Sequence, residues 1–356
     1  MQSIYIHIPF CKSRCSYCDF FSTTQLSRRH EYVDAVLQEW KQRSTGSDIH
    51  TLYLGGGTPS MLDVKDIQRL VQAIATKDTK EITLEANPGD LSLEKLQALR
   101  QIGINRLSIG IQSFRNPLLR FIGRRHTSKQ AFQAVRWAQQ AGFDNISIDL
   151  MYALPGQNML QWALDIKKAL RLGIQHISCY CLTYEEGTPL CDMLKSGKFR
   201  AKSENIQNRM YSYLCKVLAR HGFEHYEVSN FALPGYRSQH NSAYWNDTPY
   251  IGLGAGAHSY DGNTRSWNIC DLNAYIAGIQ NGQTVSESET LTEDQKHVER
   301  IMLGLRTVEG IDIREIANTD KLNDYLRRGL LRKDNNRIIA TNQGINILNR
   351  IIEDLI

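Results

Sequence analysis

No stretch of the chain approaches the roughly 20 consecutive apolar residues that a membrane-crossing helix needs. The first ten residues also lack the charged segment and long apolar run of a secretory leader. A cytoplasmic protein without a membrane span is the expectation. Charge of one sign is missing too: 42 lysines and arginines stand against 37 acidic residues, a net +5, and basic residues cluster only briefly, as at Arg124, Arg125 and His126. Nothing in that balance calls for nucleic acid as a partner. No low-complexity tract interrupts the chain. Cysteine is sparse, eight in 356 residues, and its crowding at one end is unlike the even spread of a secreted disulfide framework. Cys11, Cys15 and Cys18 are therefore read as reduced thiols.

What is present is a regular alternation. At 42% hydrophobic the chain can bury a large core, and its length suggests about two domains or a barrel with an appendage. Apolar strands are predicted at Ser3–Ile8, Thr51–Leu54, Glu81–Asn87, Arg106–Gln112, Asn145–Ala153 and His176–Thr183. Helical patterns fall between them, near Glu31–Lys41, Val64–Ala75, Leu93–Ile102, Lys129–Ala141 and Met159–Leu172. Six strands joined by five helices imply an α/β fold with parallel pairing. Strand order, and so the choice between a doubly wound sheet and a partial barrel, is left open by the pattern. The unusual residues nevertheless share a location. "CKSRC" follows the first strand, "GGGTPS" the second, "EANP" ends the third, "GIQSF" ends the fourth, and Asp149 sits in the fifth. All belong to the carboxyl end of the sheet, where such folds place their chemistry. In the first strand, Ile4, Ile6 and Ile8 should pack on helices while Tyr5 and His7 face the interior.

Beyond residue 184 the pattern changes to a helix, Glu204–His221, short strands around "HYEVSNFA", and a glycine-rich run, "YIGLGAGAHSY". A helix opens after Thr292 with capping-box spacing to Gln295. The tail then reads helix, strand, turn, strand, helix, a winged-helix-like module over residues 285–356. Its mixed charges favour a packing appendage over nucleic-acid binding.

Cys11, Cys15 and Cys18 have the spacing C-x3-C-x2-C, short enough to turn three thiolates toward one point. A closed zinc site needs four ligands, so zinc would require a fourth from elsewhere. A four-iron cubane held by three cysteines keeps one iron open for a ligand with nitrogen and oxygen donors. Both readings stand on spacing alone. Three consecutive glycines after the second strand add a place where bare backbone can approach a ligand.

In order along the chain, "YIHIPFCKSRCSYCDF", "GGGTPS", "EANP", "GINRLSIGIQSF", "GRRH", "DLMYALPGQ" and "HISCYCLTYEEGTPL" resemble the radical S-adenosylmethionine family. Within it they are similar to the branch of the oxygen-independent coproporphyrinogen III oxidases and their heme-chaperone relatives, from Tyr5 to about Tyr260 and more loosely to the end. The resemblance implies a (βα)6 partial barrel of the TIM type over residues 1–184, an extension over 185–284, and the C-terminal module. It makes Cys11, Cys15 and Cys18 the ligands of a 4Fe-4S cluster whose open iron takes the amino and carboxylate groups of S-adenosylmethionine. Tyr5 and Tyr17 would flank that cofactor, Gly56, Gly57 and Thr58 would meet its methionine end, and Glu85, Gln112, Arg124 and Asp149 would supply the other polar contacts. In the family an electron from the cluster cleaves the sulfonium to methionine and a 5'-deoxyadenosyl radical. Ala153 stands where many relatives have glycine.

Two departures separate the chain from the oxidases. They carry a fourth cysteine two residues after the third, where this chain has Phe20, and an extension ahead of the tyrosine matching Tyr5, which only four residues precede here. A third feature, "HNSAYW" from His240 to Trp245, matches the H-N-x-x-Y-W element associated with heme in the chaperones. His240 would offer a nitrogen to iron, with His258 in reserve. The expectation is a heme chaperone that binds heme and passes it to an unidentified acceptor hemoprotein, membrane-bound acceptors included. The alternatives are a coproporphyrinogen III oxidase and a zinc-stabilised barrel without redox function. Cys179, Cys181, Cys191, Cys215 and Cys270 are read as chemically idle.

Overall fold

In the computed structural model, which describes residues 2–356, six strands lie side by side in sequence order and all parallel: β1 (Gln2–Ile8), β2 (Ile49–Gly56), β3 (Glu81–Ala86), β4 (Arg106–Gln112), β5 (Ile146–Tyr152) and β6 (His176–Cys181). A doubly wound sheet reverses its strand order at a switch point, whereas this order never reverses, so every crossover helix falls on one face and the sheet curls into a partial barrel. The helices Arg29–Arg43, Val64–Ile74, Leu93–Gln101, Ser128–Gln140 and Met159–Leu170 fill the crossovers where periodicity put them. Two of them start on reciprocal caps, Thr127 with Gln130 and Asn158 with Gln161, which satisfy amide donors that a helix cannot use itself. Ile4, Ile6 and Ile8 are fully buried in the apolar layer between sheet and helices, and Tyr5 and His7 face the barrel interior.

The sheet does not stop at six strands. The extension adds β7 (Glu224–Glu227) and β8 (Asn230–Ala232) beyond β6, and β9 (Tyr250–Leu253), β10 (His258–Tyr260), β11 (Thr264–Asn268) and β12 (Ser286–Thr290) beyond β1, in the order β12-β11-β10-β9-β1-β2-β3-β4-β5-β6-β8-β7. β9 runs parallel to β1 and β8 antiparallel to β6, so neither outer strand of the six-stranded core keeps a bare edge. The start of the tail module at residue 285 is thereby corrected. Residues 286–290 hydrogen-bond to β11 as the last strand of the large sheet.

The tail builds a second sheet, β13 (Ile311–Asp312), β14 (Leu331–Asp334) and β15 (Arg337–Ala340), ordered β13-β15-β14. The β14–β15 hairpin turns at Asn335, whose φ of +53° suits asparagine in the left-handed region. The helices Glu293–Gly304, Thr319–Arg327 and Leu348–Leu355 close over an apolar cluster that includes Ile301, Leu305, Leu322, Ile338, Ile351 and Leu355. This unit is stitched to β7: the Val228 amide donates to the Arg306 carbonyl at 3.0 Å, and the Val308 amide donates to the Tyr226 carbonyl at 3.1 Å. Among the described residues no helix is long and apolar enough to cross a membrane.

Candidate functional site

A cavity of about 890 Å³ opens at the carboxyl end of β1–β6. The loop after β1 contributes Cys11, Cys15, Tyr17 and Cys18, and the loop after β2 contributes Gly56, Gly57 and Thr58. Glu85 reaches it from β3, Gln112 from β4, Arg124 from the following loop and Asp149 from β5. Residues spread over nearly 140 positions of sequence thus meet on one wall because parallel strands deliver all their carboxyl ends to the same side.

The thiol loop is clasped by the chain's own backbone. The Cys11 amide donates to the Thr23 carbonyl at 2.9 Å and the Thr23 amide donates to Pro9 at 2.7 Å, while the Cys18 amide turns back to Cys15 at 3.3 Å. Its middle is docked on Gly123, where φ is +74° and an added Cβ would stand 3.2 Å from the Ser16 nitrogen. Thr58 Oγ1 lies 3.4 Å from Cys11 Sγ, and Arg124 Nη1 donates to Cys15 Sγ at 3.6 Å. Burial raises the pKa of Cys11 and pushes that of Cys18 up to about 11. These two thiols hold their protons at neutral pH and would release them to a metal.

Two half-buried carboxylates stand on the same wall. Glu85 accepts from the Tyr53 hydroxyl at 2.7 Å and from the Gly56 amide at 3.1 Å, and burial raises its pKa to about 7 against those bonds. Asp149 accepts from Ser108 Oγ at 3.1 Å, and its pKa too is raised, chiefly by burial. Gln112 has a φ of +64°, uncommon for a side chain of its kind, and sits where the β4–β5 register slips by one residue. Such a bulge re-aims a side chain at the cost of local strain. Gly56, at φ +105°, is required sterically, since a Cβ there would lie 2.7 Å from the His7 ring.

Two expected site residues are not brought to this wall. Tyr5 is absent from it: its hydroxyl is 3.2 Å from His7 Nδ1 and its ring packs 6.0 Å from that of Tyr53 and 6.4 Å from that of His240. His240 lies further still, at the amino end of the barrel and 1% exposed. Its Nδ1 is paired with Thr51 Oγ1 at 2.8 Å and its Nε2 with the Tyr244 hydroxyl at 2.9 Å, so in this arrangement neither nitrogen faces a ligand. Burial and then Arg106 push its pKa down to about 3. Glu81 fixes the segment by accepting from the Gln239 and His240 amides, each at 3.0 Å. His258, by contrast, is exposed, 6.2 Å from the Trp267 ring.

Other wall residues escaped the sequence reading. Ser108 shares the face of Gly110 and Gln112 on β4, a signal that strand alternation did carry. Cys179 and Cys181, read as idle, also line the cavity, as do Ile345, Asn346 and Asn349 from the tail.

Comparison with known proteins gives the chain relatives over nearly its whole length. Residues 5–169 match the model of the radical SAM superfamily, and residues 291–347 match that of the HemN C-terminal domain. The heme chaperone HemW of Lactococcus lactis is 36% identical over 99% of this chain and 96% of that protein, and the HemW of Bacillus subtilis is 36% identical over 97% and 96%. A zebrafish protein, the mitochondrial radical S-adenosyl methionine domain-containing protein 1, is 35% identical over 87% of this chain and 73% of its own. Among solved structures, the coproporphyrinogen III oxidase HemN of Escherichia coli superposes with a TM-score of 0.85 over 99% of this chain and 89% of that one, at 24% identity, which speaks to the fold.

Proposed function

Since the chain belongs to the radical S-adenosylmethionine family, on the branch of the HemW heme chaperones, we propose that it binds heme and transfers it to an acceptor hemoprotein while holding a 4Fe-4S cluster and S-adenosylmethionine. The observation that carries this is the wall of the cavity: three thiols with the glycine turn against them, and two half-buried carboxylates on the same wall. Cys11, Cys15 and Cys18 would hold the cluster, and its open iron would supply the attachment for S-adenosylmethionine and a source of electrons. Tyr17, Gly56, Gly57, Thr58, Gln112 and Arg124 would orient the cofactor's polar ends. Glu85 and Asp149 would face its sulfonium charge, which offsets the cost of ionising them in a buried site.

The donor set fits a cluster better than one ion. Around a single tetrahedral zinc, thiolates bound at about 2.3 Å stand roughly 3.8 Å apart. Among the described residues the one trio of metal-type ligand atoms within 4.8 Å of one another is His30, Asp63 and Asp66, a surface group joined by ion pairs, and the three cysteines are more widely set. A cubane takes each sulfur on a separate iron and tolerates that spread. Phe20, where the oxidases carry their further cysteine, stands 67% exposed at the cavity rim and favours chaperone over oxidase. Neither histidine lines the cavity; His258, exposed on β10, offers an imidazole to a heme at the cavity's rim without rearrangement, whereas His240 offers one only if the helix Gln239–Trp245 undocks.

The test is anaerobic reconstitution followed by iron and sulfide analysis, heme titration and a coproporphyrinogen assay on one preparation. About four irons and four sulfides per chain, lost in Cys15→Ser, with stable heme binding and no protoporphyrinogen, are expected. Zinc without sulfide, or turnover without heme binding, would overturn the proposal. Heme titrations of His240→Ala and His258→Ala then identify the axial ligand.

A further inference from the structure

The cavity has a second end, and its chemistry differs from that of the thiol end. Gln207, Asn208 and Tyr211 come from the body of the protein, and Ile345, Asn346 and Asn349 from the tail. The half-buried carboxylates that suit a cation are Glu85 on β3 and Asp149 on β5, while the exposed Glu185 also lines the cavity.

Directly behind Asn349 stands Arg306. Its Nη2 donates to Asn349 Oδ1 at 2.9 Å, its Nη1 donates to the Met302 carbonyl at 2.8 Å, and its own carbonyl accepts from Val228, a residue of the cavity wall. A guanidinium carries five N–H donors, so most of this fork is unused. Two other arginines of the tail hold a carboxylate, Arg300 with Glu315 at 3.4 Å and Arg314 with Asp312 at 2.7 Å, and Arg337 spends its nitrogens on the Glu309 and Gly310 carbonyls. Among the described residues Arg306 has no such partner, and burial without a compensating anion lowers its pKa. Capping the helix Glu293–Gly304 through Met302 accounts for one nitrogen and leaves the charge unanswered. A second, independent observation lies on the same wall: Asn346 Oδ1 is buried and has no hydrogen-bond partner. A half-buried unpaired cation standing behind the wall residue Asn349, with an unsatisfied amide oxygen on that same wall, is the pattern of a site completed by its ligand.

Resting on the proposed heme-binding function and going further into the same cavity, we propose that this wall receives a carboxylate of the bound ligand. Arg306 and the Asn349 amide would grip it, Asn346 would take a ligand N–H or O–H, and the Tyr180 and Tyr211 rings would lie along a flat aromatic body. For a tetrapyrrole the carboxylate is a propionate. The tail module, on this account, is a wall of the binding site as well as a packed appendage.

The experiment compares acid and ester forms of the same ring in the full-length reconstituted protein. Heme and heme dimethyl ester, and coproporphyrin III and its tetramethyl ester, are titrated into wild type, Arg306→Gln, Arg306→Lys and Asn349→Ala. Wild type is expected to bind each acid about tenfold more tightly than its ester, the size of one charge-assisted hydrogen-bond pair. Arg306→Gln should lose that preference with ester binding unchanged, and Arg306→Lys should restore part of it. Equal affinity of wild type for acid and ester overturns the inference without any variant, as does an Arg306→Gln protein that still prefers the acid. Iron content and thermal transition of each variant separate local loss from misfolding, and exposed Asn349 gives a variant that leaves the core untouched. If wild type binds neither acid nor ester, the heme-binding function itself fails and takes this inference with it.

Discussion

The two ends of the barrel use interior carboxylates in opposite ways. At the amino end Glu81 accepts two backbone amides of the segment 239–240 and sits 3.9 Å from Arg106, while His240 has both ring nitrogens engaged. Everything that Glu81 and His240 can bond is already there, and the end is plugged. At the carboxyl end Glu85 and Asp149 also accept hydrogen bonds, yet they face a cavity and keep raised pKa values. The difference separates a structural polar network, complete within the chain, from a functional one that waits for charge from outside. Arg106 marks the limit of the first kind: its Nε and Nη1 have no hydrogen-bond partner and depend on the nearby charge of Glu81.

The largest expected effect comes from breaking the plugged end. Glu81→Ala leaves a buried guanidinium alone and uncaps the segment, so unfolding free energy in urea should fall by about 3–5 kcal/mol. A loss under 1 kcal/mol would show that the plug is held by something else. At the open end the pH response should be distinct. Glu85 has a folded pKa of about 7 against an unfolded value near 4.3, so between those values the folded state binds more protons than the unfolded one. Its contribution is complete below about pH 4 and is lost as pH rises toward 7. Glu85→Gln, which is always neutral, should therefore gain stability on wild type across that window, and parallel curves would contradict the burial argument. The smallest effect belongs to Ala153, whose φ of +62° at the end of β5 is a glycine conformation. Ala153→Gly should raise stability by roughly 0.5–1 kcal/mol, read as a shift in the denaturation midpoint.

Much of this contrast was written in the sequence at one end and hidden at the other. The six parallel strands followed from alternation, as Ile4, Ile6 and Ile8 show, and the open end followed from special residues placed just after each strand. The plug was not legible because its bonds span the chain: His240 meets Thr51 across 189 positions and Glu81 across 159. A histidine looks the same in sequence whether it is spent or free. The strain at Ala153 is not legible either, since φ is not visible in composition. Arg306 and Asn346 had no local signature at all, because the tail reads as ordinary amphipathic helices and a hairpin.

β12 closes the large sheet with the run "SESET", every residue exposed, Glu287 opposite Trp267 and Glu289 opposite Arg265. An open twelve-stranded sheet would otherwise end in a sticky border of free amides and carbonyls. Two carboxylates on so short a rim repel a second such rim brought alongside, so the sheet can grow to this width in one molecule without inviting fibrous stacking between molecules.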